Sequence, residues 1–177
     1  MKSIIYISAI ALIAASCSSS NNSGGMKASE NKAKVQRFYD EVINAHNTAM
    51  VDSFCTSDFV DHNPDEGHSG KGTDDLKAGF NDFFTAFPDI KISPNFMIAQ
   101  GDTVVAHVTI TGTNSGMMGK MPATNKQMTI DGIDIIALKD GKATDRWGFF
   151  DMMKMMHEMG MMPPPGAMMD SSMTKKK

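Results

Sequence analysis

The sequence predicts an α+β domain in which N-terminal helices cover one face of a curved antiparallel sheet. Two observations support this fold class. Apolar residues recur at helical spacing in the first half of the chain, and short runs of β-branched residues between turn signals fill the second half. Helical segments followed by strand segments are typical of α+β domains. With 177 residues, the chain is long enough for one domain with a substantial core.

The N-terminal segment, residues 1–17, is typical of a secretory signal peptide. Lys2 precedes an apolar run over 4–15, which is too short to cross a bilayer, and small residues then lead into Cys17. A cysteine in this position resembles the lipobox of bacterial lipoproteins, in which the cysteine carries lipid and becomes the mature N-terminus. We therefore expect lipidation at Cys17 and attachment to a membrane of the bacterial cell envelope, facing the periplasm or the exterior. The alternative is plain secretion.

Residues 18–28 are polar and lack apolar periodicity, which predicts a flexible tether. A folded domain is predicted over 29–162, followed by a disordered, Met-rich and Pro-rich tail over 163–177 that ends in lysines. The net charge is −3 and no basic stripe is present, so nucleic acid is not an expected partner. If Cys17 carries lipid, Cys55 is the remaining thiol, which excludes a disulfide within the chain.

Three segments of the first half have helical apolar spacing. The first covers 29–45, a short one lies near 48–54, and a third begins near Thr73 and ends at Pro88. The stripe of the first helix consists of Val35, Phe38, Tyr39, Val42 and Ile43. The buried face of the third consists of Leu76, Phe80, Phe83, Phe84 and Phe87.

The second half contains four strand-like runs, "KISPNFMIAQ", "TVVAHVTITGTN", "KQMTIDGIDIIAL" and "KATDRWGFF". "QGD" separates the first two runs and "KDGK" the last two. Asp140 and Gly141 form a strong hairpin signal, because both central positions of such a turn need positive φ. The four runs therefore predict an antiparallel meander.

The order and the amino-acid sequences of these segments resemble those of the SnoaL-like polyketide cyclase and ester cyclase branch of the NTF2-like superfamily. The resemblance is carried by "NKAKVQRFYDEVINAHN", "SDFVDHNPDEGHSG", "AFPDIKISPNFMIAQGDTVVAHVTITGTNSG" and "MPATNKQMTIDGIDIIALKDGKATDRWGFFD". With the stretch that follows, it spans about 31–165, the entire predicted domain. It implies a cone-shaped α+β barrel whose curved sheet encloses a deep pocket, and pairing of two chains into a homodimer.

The same resemblance bears on the chemistry of the pocket. In the best-known polyketide cyclases of this type, an aspartate on the last strand is the acid/base of an aldol ring closure, and a histidine accompanies it. These two positions fall on Gly148 and Asp134 in this sequence. The resemblance thus implies the pocket, whereas the usual acid/base pair is not preserved.

Asp134 is the main candidate for catalysis. It lies in phase with the apolar residues of its strand, which is a costly place for a charge. A regular hairpin would place it opposite Trp147, with Phe149 on the same face. A carboxyl group in such an apolar concavity suits general acid or base catalysis near neutral pH. The alternative is a structural role, in which Asp134 accepts hydrogen bonds or pairs with Arg146 across a bulge.

Other side chains complete the predicted site. His62 lies in the loop "DFVDHNPDEGHSG" and matches a position that lines the pocket mouth in relatives, so it is the second candidate catalytic residue. The alternative for His62 is a surface histidine that hydrogen-bonds the loop. Asn114 is in phase with an apolar strand face and is expected to point its amide into the cavity. The predicted ligand-binding residues are Asn114, Trp147, Phe149, Met118, Phe38 and His68.

The stretch "DMMKMMHEMGMMPPP" carries methionine where the family commonly has a leucine-rich helix. Met152, Met155, Met156 and Met159 recur at helical spacing, and methionine and leucine have similar volumes, so a core or dimer-contact helix is expected. The alternative is a Cu(I) or Ag(I) site in which soft thioethers act together with His157.

These patterns predict a SnoaL-like protein that binds a small hydrophobic carbonyl compound in its pocket. Acid/base chemistry there, namely aldol cyclisation, isomerisation or hydrolysis, needs no cofactor and no metal. One alternative is a non-catalytic, lipid-anchored module that binds a ligand or a partner protein. A second alternative is a Met-rich, copper-binding lipoprotein.

Overall fold

The computed structural model describes residues 20–162, with side chains from residue 27 onward. The helices within this range are α1 (Ser20–Phe38), α2 (Val51–Phe54), α3 (Gly72–Ala86) and α4 (Met152–Glu158). The strands are β1 (Cys55–Asp61), β2 (Lys91–Gln100), β3 (Thr103–Thr113), β4 (Gln127–Lys139) and β5 (Lys142–Phe150). A π-helical turn, Tyr39–Ile43, continues α1, and a 3₁₀ turn, Thr48–Met50, leads into α2.

The strands of the described region form one curved sheet in the order β1-β5-β4-β3-β2. The predicted α+β class with a curved sheet is therefore confirmed. Two details differ from the prediction. The sheet is not closed, since β1 and β2 are edge strands, and β1 pairs with β5 in the parallel direction while the other pairs are antiparallel.

Helix α1 begins at Ser20, whereas the sequence predicts a flexible tether up to residue 28. Two contacts connect the middle of α1 to the β2–β3 turn. Lys27 forms an ion pair with Asp102, and the side-chain amide of Asn31 donates to the carbonyl of Gly101. The residues of α1 before Asn31 are mostly polar and show no apolar stripe, so periodicity does not reveal this part of the helix. The predicted signal peptide, Cys17 and the tail over 163–177 lie outside the described residues.

Helix α4 packs against the core through methionine. Met155 is 2% exposed and Met159 is 1% exposed, so both are core residues, as their helical spacing predicts. Met152 is 49% exposed and does not continue this buried stripe. Of the helices that the structure describes, none combines the length and the apolar character that a membrane span requires.

The β4–β5 hairpin contains a β-bulge that the sequence pattern does not predict. Asp140 and Gly141 form the predicted turn and both have positive φ. After the turn, however, the register shifts, because Ala137 pairs with Asp145 and leaves Thr144 as an extra residue in β5.

This bulge changes which side chains of β5 face the core. A shift of one residue moves every following side chain to the opposite face of the sheet. Asp134 therefore pairs with Gly148 rather than with Trp147. The predicted placement of Trp147 and Phe149 beside Asp134 is wrong for this reason, and both lie on the outer face.

Candidate functional site

The helices and the inner face of the sheet enclose a cavity of about 420 Å³. Its walls are mainly apolar and include Phe38 from α1, Phe80 from α3 and Ile130 from β4. Met118, from the segment between β3 and β4, lines it as well. Phe38 and Met118 thus lie where the sequence predicts ligand contacts, and a cavity of this size accommodates a small organic molecule.

A chain of four hydrogen-bonded polar side chains lies in the cavity wall. Tyr39 Oη donates to Asp134 Oδ2 at 2.9 Å, and Arg146 Nε donates to Asp134 Oδ1 at 2.9 Å. Arg146 Nη1 donates to Asp61 Oδ2 at 2.7 Å. Asp134 is only 2% exposed and Asp61 only 8%. Asp134 therefore faces the apolar interior as predicted, but its partners are Tyr39 and Arg146.

The charge states of this network follow from burial and pairing. Burial alone would lower the pKa of Arg146, but the negative charges of Asp134 and Asp61 outweigh it and raise the pKa above its ordinary value. Burial, together with Asp134, raises the pKa of Tyr39 well above its ordinary value. Arg146 is thus a permanent cation and Tyr39 a neutral donor near pH 7.

His68 lies where the cavity opens to solvent. Its Nε2 is 3.2 Å from Asp82 Oδ2 and its Nδ1 is 3.6 Å from Asp75 Oδ1. Asp75 also accepts hydrogen bonds from the backbone N–H groups of Ser69 and Gly70, which holds the loop before α3 in place. His68 lines the cavity, as predicted for a ligand-binding residue.

His62 and Trp147 form a separate group on the outer face of the sheet. Their rings are stacked with centroids 4.3 Å apart, and His62 Nε2 lies 2.9 Å from Asp145 Oδ1. This hydrogen bond lowers the pKa of Asp145. Phe149 also points outward and is 54% exposed. The structure therefore does not bring His62, Trp147 or Phe149 to the cavity that contains Asp134.

Asn114 is fully buried, but it serves the loop after β3 rather than the cavity. Its amide nitrogen donates to the carbonyl of Gly116, and its oxygen accepts from the backbone N–H of Thr124. Asn114 is not part of the cavity wall. The expectation that it points into the cavity is wrong. Alternation along a strand predicts that Asn114 is buried, but it does not tell whether the buried amide contacts a ligand or hydrogen-bonds the backbone of the next loop.

The profile of the SnoaL-like polyketide cyclase family matches residues 33–159, which is most of the described chain. The chain belongs to this family. No curated protein sequence matches it significantly.

Several solved structures are similar to this fold. A candidate polyketide cyclase from Bacillus cereus ATCC 10987 has a TM-score of 0.65 and 27% identity, covering 76% of this chain and 83% of its own. A candidate SnoaL-like polyketide cyclase from Jannaschia sp. CCS1 has a TM-score of 0.66 and 21% identity, covering 77% and 95%. AclR, a candidate hydroxylase from Streptomyces galilaeus, has a TM-score of 0.67 and 19% identity, covering 82% and 95%. Because proteins named for different reactions share the fold, the reaction must be argued from the residues.

Gly148 lies opposite Asp134, its partner in the pairing of β5 with β4. These are the two positions at which the resemblance implies the usual acid/base pair. A Cβ atom at Gly148 would lie only 2.5 Å from Arg146 Nη2. The guanidinium therefore occupies the space that an acid/base side chain at this position would need.

Sequence reasoning missed Asp61 and Tyr39 as site residues and considered Arg146 only as an alternative partner of Asp134. Tyr39 belongs to the apolar stripe predicted for the first helix, so the sequence pattern explains it as a core residue and does not indicate a role for its hydroxyl group. Asp61 reaches Arg146 because β1 pairs with β5, a contact between segments far apart in the chain. No local pattern identifies such a contact.

Proposed function

We propose that this SnoaL-like protein binds a small, mainly apolar carbonyl compound in its cavity and catalyses proton transfer at a carbon next to the carbonyl. The observation that carries this proposal is the buried Asp61–Arg146–Asp134 group in the wall of a mainly apolar cavity. Buried charged groups are costly to maintain and cluster at functional sites.

The chemistry assigns the roles of the two carboxylates. One of them accepts a proton from the carbon next to the carbonyl and returns it to the new hydroxyl oxygen in an aldol cyclisation, or to another carbon in an isomerisation. In a hydrolysis the same carboxylate would instead take the proton from the attacking water. None of these reactions needs a cofactor. Asp134 is held by Tyr39 and Arg146, whereas Asp61 accepts from Arg146 and the backbone N–H of Asn63. Asp134 remains the primary candidate, with Asp61 added by the geometry. Neither His62 nor Asn114 is retained in a catalytic role.

Two matched variants test whether the cavity is the binding site. Ala143→Leu adds bulk to the cavity wall, and Ala33→Leu makes the same change on the exposed side of α1. In a native mass spectrometry screen of small ketones and esters, we expect the wild type and Ala33→Leu to retain the same compounds and Ala143→Leu to lose them. Equal retention by all three proteins would contradict binding in the cavity.

A second candidate function, ligand binding without catalysis, is favoured by one observation. Both oxygens of Asp134 already accept hydrogen bonds, from Tyr39 and from Arg146, so a proton from a ligand would have to compete with these two donors. The two functions differ in what happens to a retained compound. If the wild type converts it and Asp134→Asn binds but does not convert it, the protein is an enzyme. If the wild type returns it unchanged, the protein is a binding module.

We also propose that the chain forms a homodimer through the outer face of its sheet. Two apolar rows cross β2 to β5 on this face, as the strand register shows. One row is Phe96, His107, Ile133 and Phe149, and the other is Ile98, Val105, Ile135 and Trp147. Phe96, Ile98 and Phe149 are 56%, 61% and 54% exposed, which is unusual for a face that has no partner.

The proposed attachment to a bacterial envelope membrane depends on Cys17, which lies outside the described residues. Its support is the signal-peptide pattern that precedes it. In cells fed radioactive palmitate, the wild type and Cys55→Ser should incorporate label, whereas Cys17→Ser should not. Labelling of Cys17→Ser would contradict lipidation at this residue.

A further inference from the structure

We propose that Arg146 Nη2 is the group that recognises the ligand, by donating a hydrogen bond to its uncharged carbonyl oxygen. This inference rests on the proposed function and specifies which atom of the site binds which chemical group. Three observations on the guanidinium lead to it: its remaining hydrogen-bond donors, the way it is held, and the charges around it.

The first observation concerns the remaining donors. Arg146 donates through Nε to Asp134 and through Nη1 to Asp61, and no described residue accepts a hydrogen bond from Nη2. In the described region, the fully buried side-chain polar atoms that lack a hydrogen-bond partner are the Thr56 hydroxyl and His157 Nε2. Nη2 lacks a partner and is not one of these atoms, so it is not fully buried. The Arg146 side chain lines the cavity and is 20% exposed, compared with 3% for Asp134. Nη2 therefore keeps both of its N–H donors for a ligand, whereas Nη1 keeps one and Nε keeps none.

The second observation concerns how the guanidinium is held. Carboxylates fix two of its nitrogens, and its Cζ lies 5.4 Å from the centre of the Phe150 ring. The absence of a side chain at Gly148 leaves the space that Nη2 fills. A donor held in this way loses little further freedom when it binds an oxygen, which favours binding.

The third observation concerns charge and selects an uncharged ligand. Among ionisable side chains in the cavity wall, the acidic ones outnumber Lys34 and Arg146. The acidic residues are Asp61, Asp65, Glu66, Asp75, Asp82 and Asp134. Asp65, Glu66 and Asp82 are exposed, whereas Asp61 and Asp134 are buried beside Arg146. A carboxylate ligand at Nη2 would add negative charge next to these two buried carboxylates, whereas a carbonyl oxygen accepts from Nη2 without adding any.

Three probes that share a naphthalene ring test this inference: 2-acetylnaphthalene, 2-ethylnaphthalene and 2-naphthoate. Their affinities are measured by equilibrium dialysis against the purified protein. We expect the ketone to bind wild type roughly tenfold more tightly than the hydrocarbon, the order of magnitude of one hydrogen bond from a charged donor. We expect 2-naphthoate to bind more weakly than the ketone.

Gly148→Ala is the decisive variant, because its methyl group displaces Nη2 without removing the cation. We expect the preference for ketone over hydrocarbon to fall to within about twofold, since the hydrogen bond is lost. Ala33→Leu adds bulk on the exposed side of α1, outside the cavity wall, and should keep the preference. If Gly148→Ala does not fold, Arg146→Lys keeps the positive charge, removes Nη2 and should abolish the preference in the same way.

The outcomes separate this inference from the proposed function. If wild type binds ketone and hydrocarbon equally well, or if the preference survives in both Gly148→Ala and Arg146→Lys, Arg146 is not the recognising group, although the cavity still binds apolar compounds. If none of the three probes binds wild type, the proposed cavity function fails and this inference fails with it.

Discussion

Cys55 lies in the cavity wall at the start of β1 and is only 3% exposed. Burial raises the pKa of its thiol from 9.0 to about 12. Below pH 9 the thiol is protonated in both the folded and the unfolded chain. The free energy of unfolding therefore does not depend on this group there, and its contribution to stability is at its maximum. Between pH 9 and about 12 the unfolded chain releases the proton and the folded chain keeps it, so the free energy of unfolding falls.

We predict that Cys55→Ala removes this part of the alkaline loss of stability. The difference in free energy of unfolding between wild type and variant should be constant below pH 9 and should fall by roughly 4 kcal/mol towards pH 12. Urea unfolding followed by circular dichroism at a series of pH values measures it. Parallel pH curves for the two proteins would show that Cys55 ionises equally easily in both states.

The residue scale also shows how far the sequence determines the site. Strand alternation correctly assigns Asp134 to the inner face, because β4 is regular between Gln127 and Ala137. The same reasoning assigns Trp147 to the wrong face, because one extra residue, Thr144, lies between it and the turn. A carboxylate that is in phase with apolar neighbours can thus be identified from sequence, whereas its partners depend on tertiary register.

At the scale of elements, α4 allows a comparison within one helix. Met155 is 2% exposed and Met153 is 69% exposed, although both are methionines in the same seven-residue helix. We predict that Met155→Ala costs about 2–5 kcal/mol of stability, because it removes packed atoms and leaves a cavity. Met153→Ala should change stability by less than about 0.5 kcal/mol.

Chemical denaturation of both variants and of Met155→Leu measures these costs. Met155→Leu should lie within about 1.5 kcal/mol of wild type, since leucine has nearly the volume of methionine. Equal effects of Met155→Ala and Met153→Ala would contradict a core role for this helix face. The result would show whether the methionines of α4 act as apolar side chains, as their spacing predicts.

Strand boundaries were more predictable than strand pairing. The four runs read from the sequence coincide closely with β2 to β5, because turn residues and β-branched runs are local signals. The parallel pairing of β1 with β5 is not local, and it brings Asp61 to Arg146. The helical start of α1 at Ser20 was missed as well, since its anchoring contacts with the β2–β3 turn are also distant in sequence.

At the scale of the whole molecule, the two faces of the sheet have separate proposed roles. On β5, Arg146 faces the cavity, and its neighbour Trp147 faces outward onto His62. Because alternate residues of a strand face opposite sides, a change on the outer face need not disturb the cavity. The proposed dimer and the proposed ligand site are therefore separable by mutation.

We predict that Phe149→Glu converts the protein from a dimer to a monomer without abolishing ligand binding. A charge at this exposed position would be buried unpaired against a second copy, which is strongly unfavourable, whereas in a monomer it faces water. Met153→Glu places the same charge at an exposed site on α4 and should leave the dimer intact. Sedimentation velocity reports the assembly state, and dialysis of 2-acetylnaphthalene reports the cavity. A monomeric wild type would contradict the dimer, and loss of binding in a folded Phe149→Glu monomer would show that the cavity depends on the second chain.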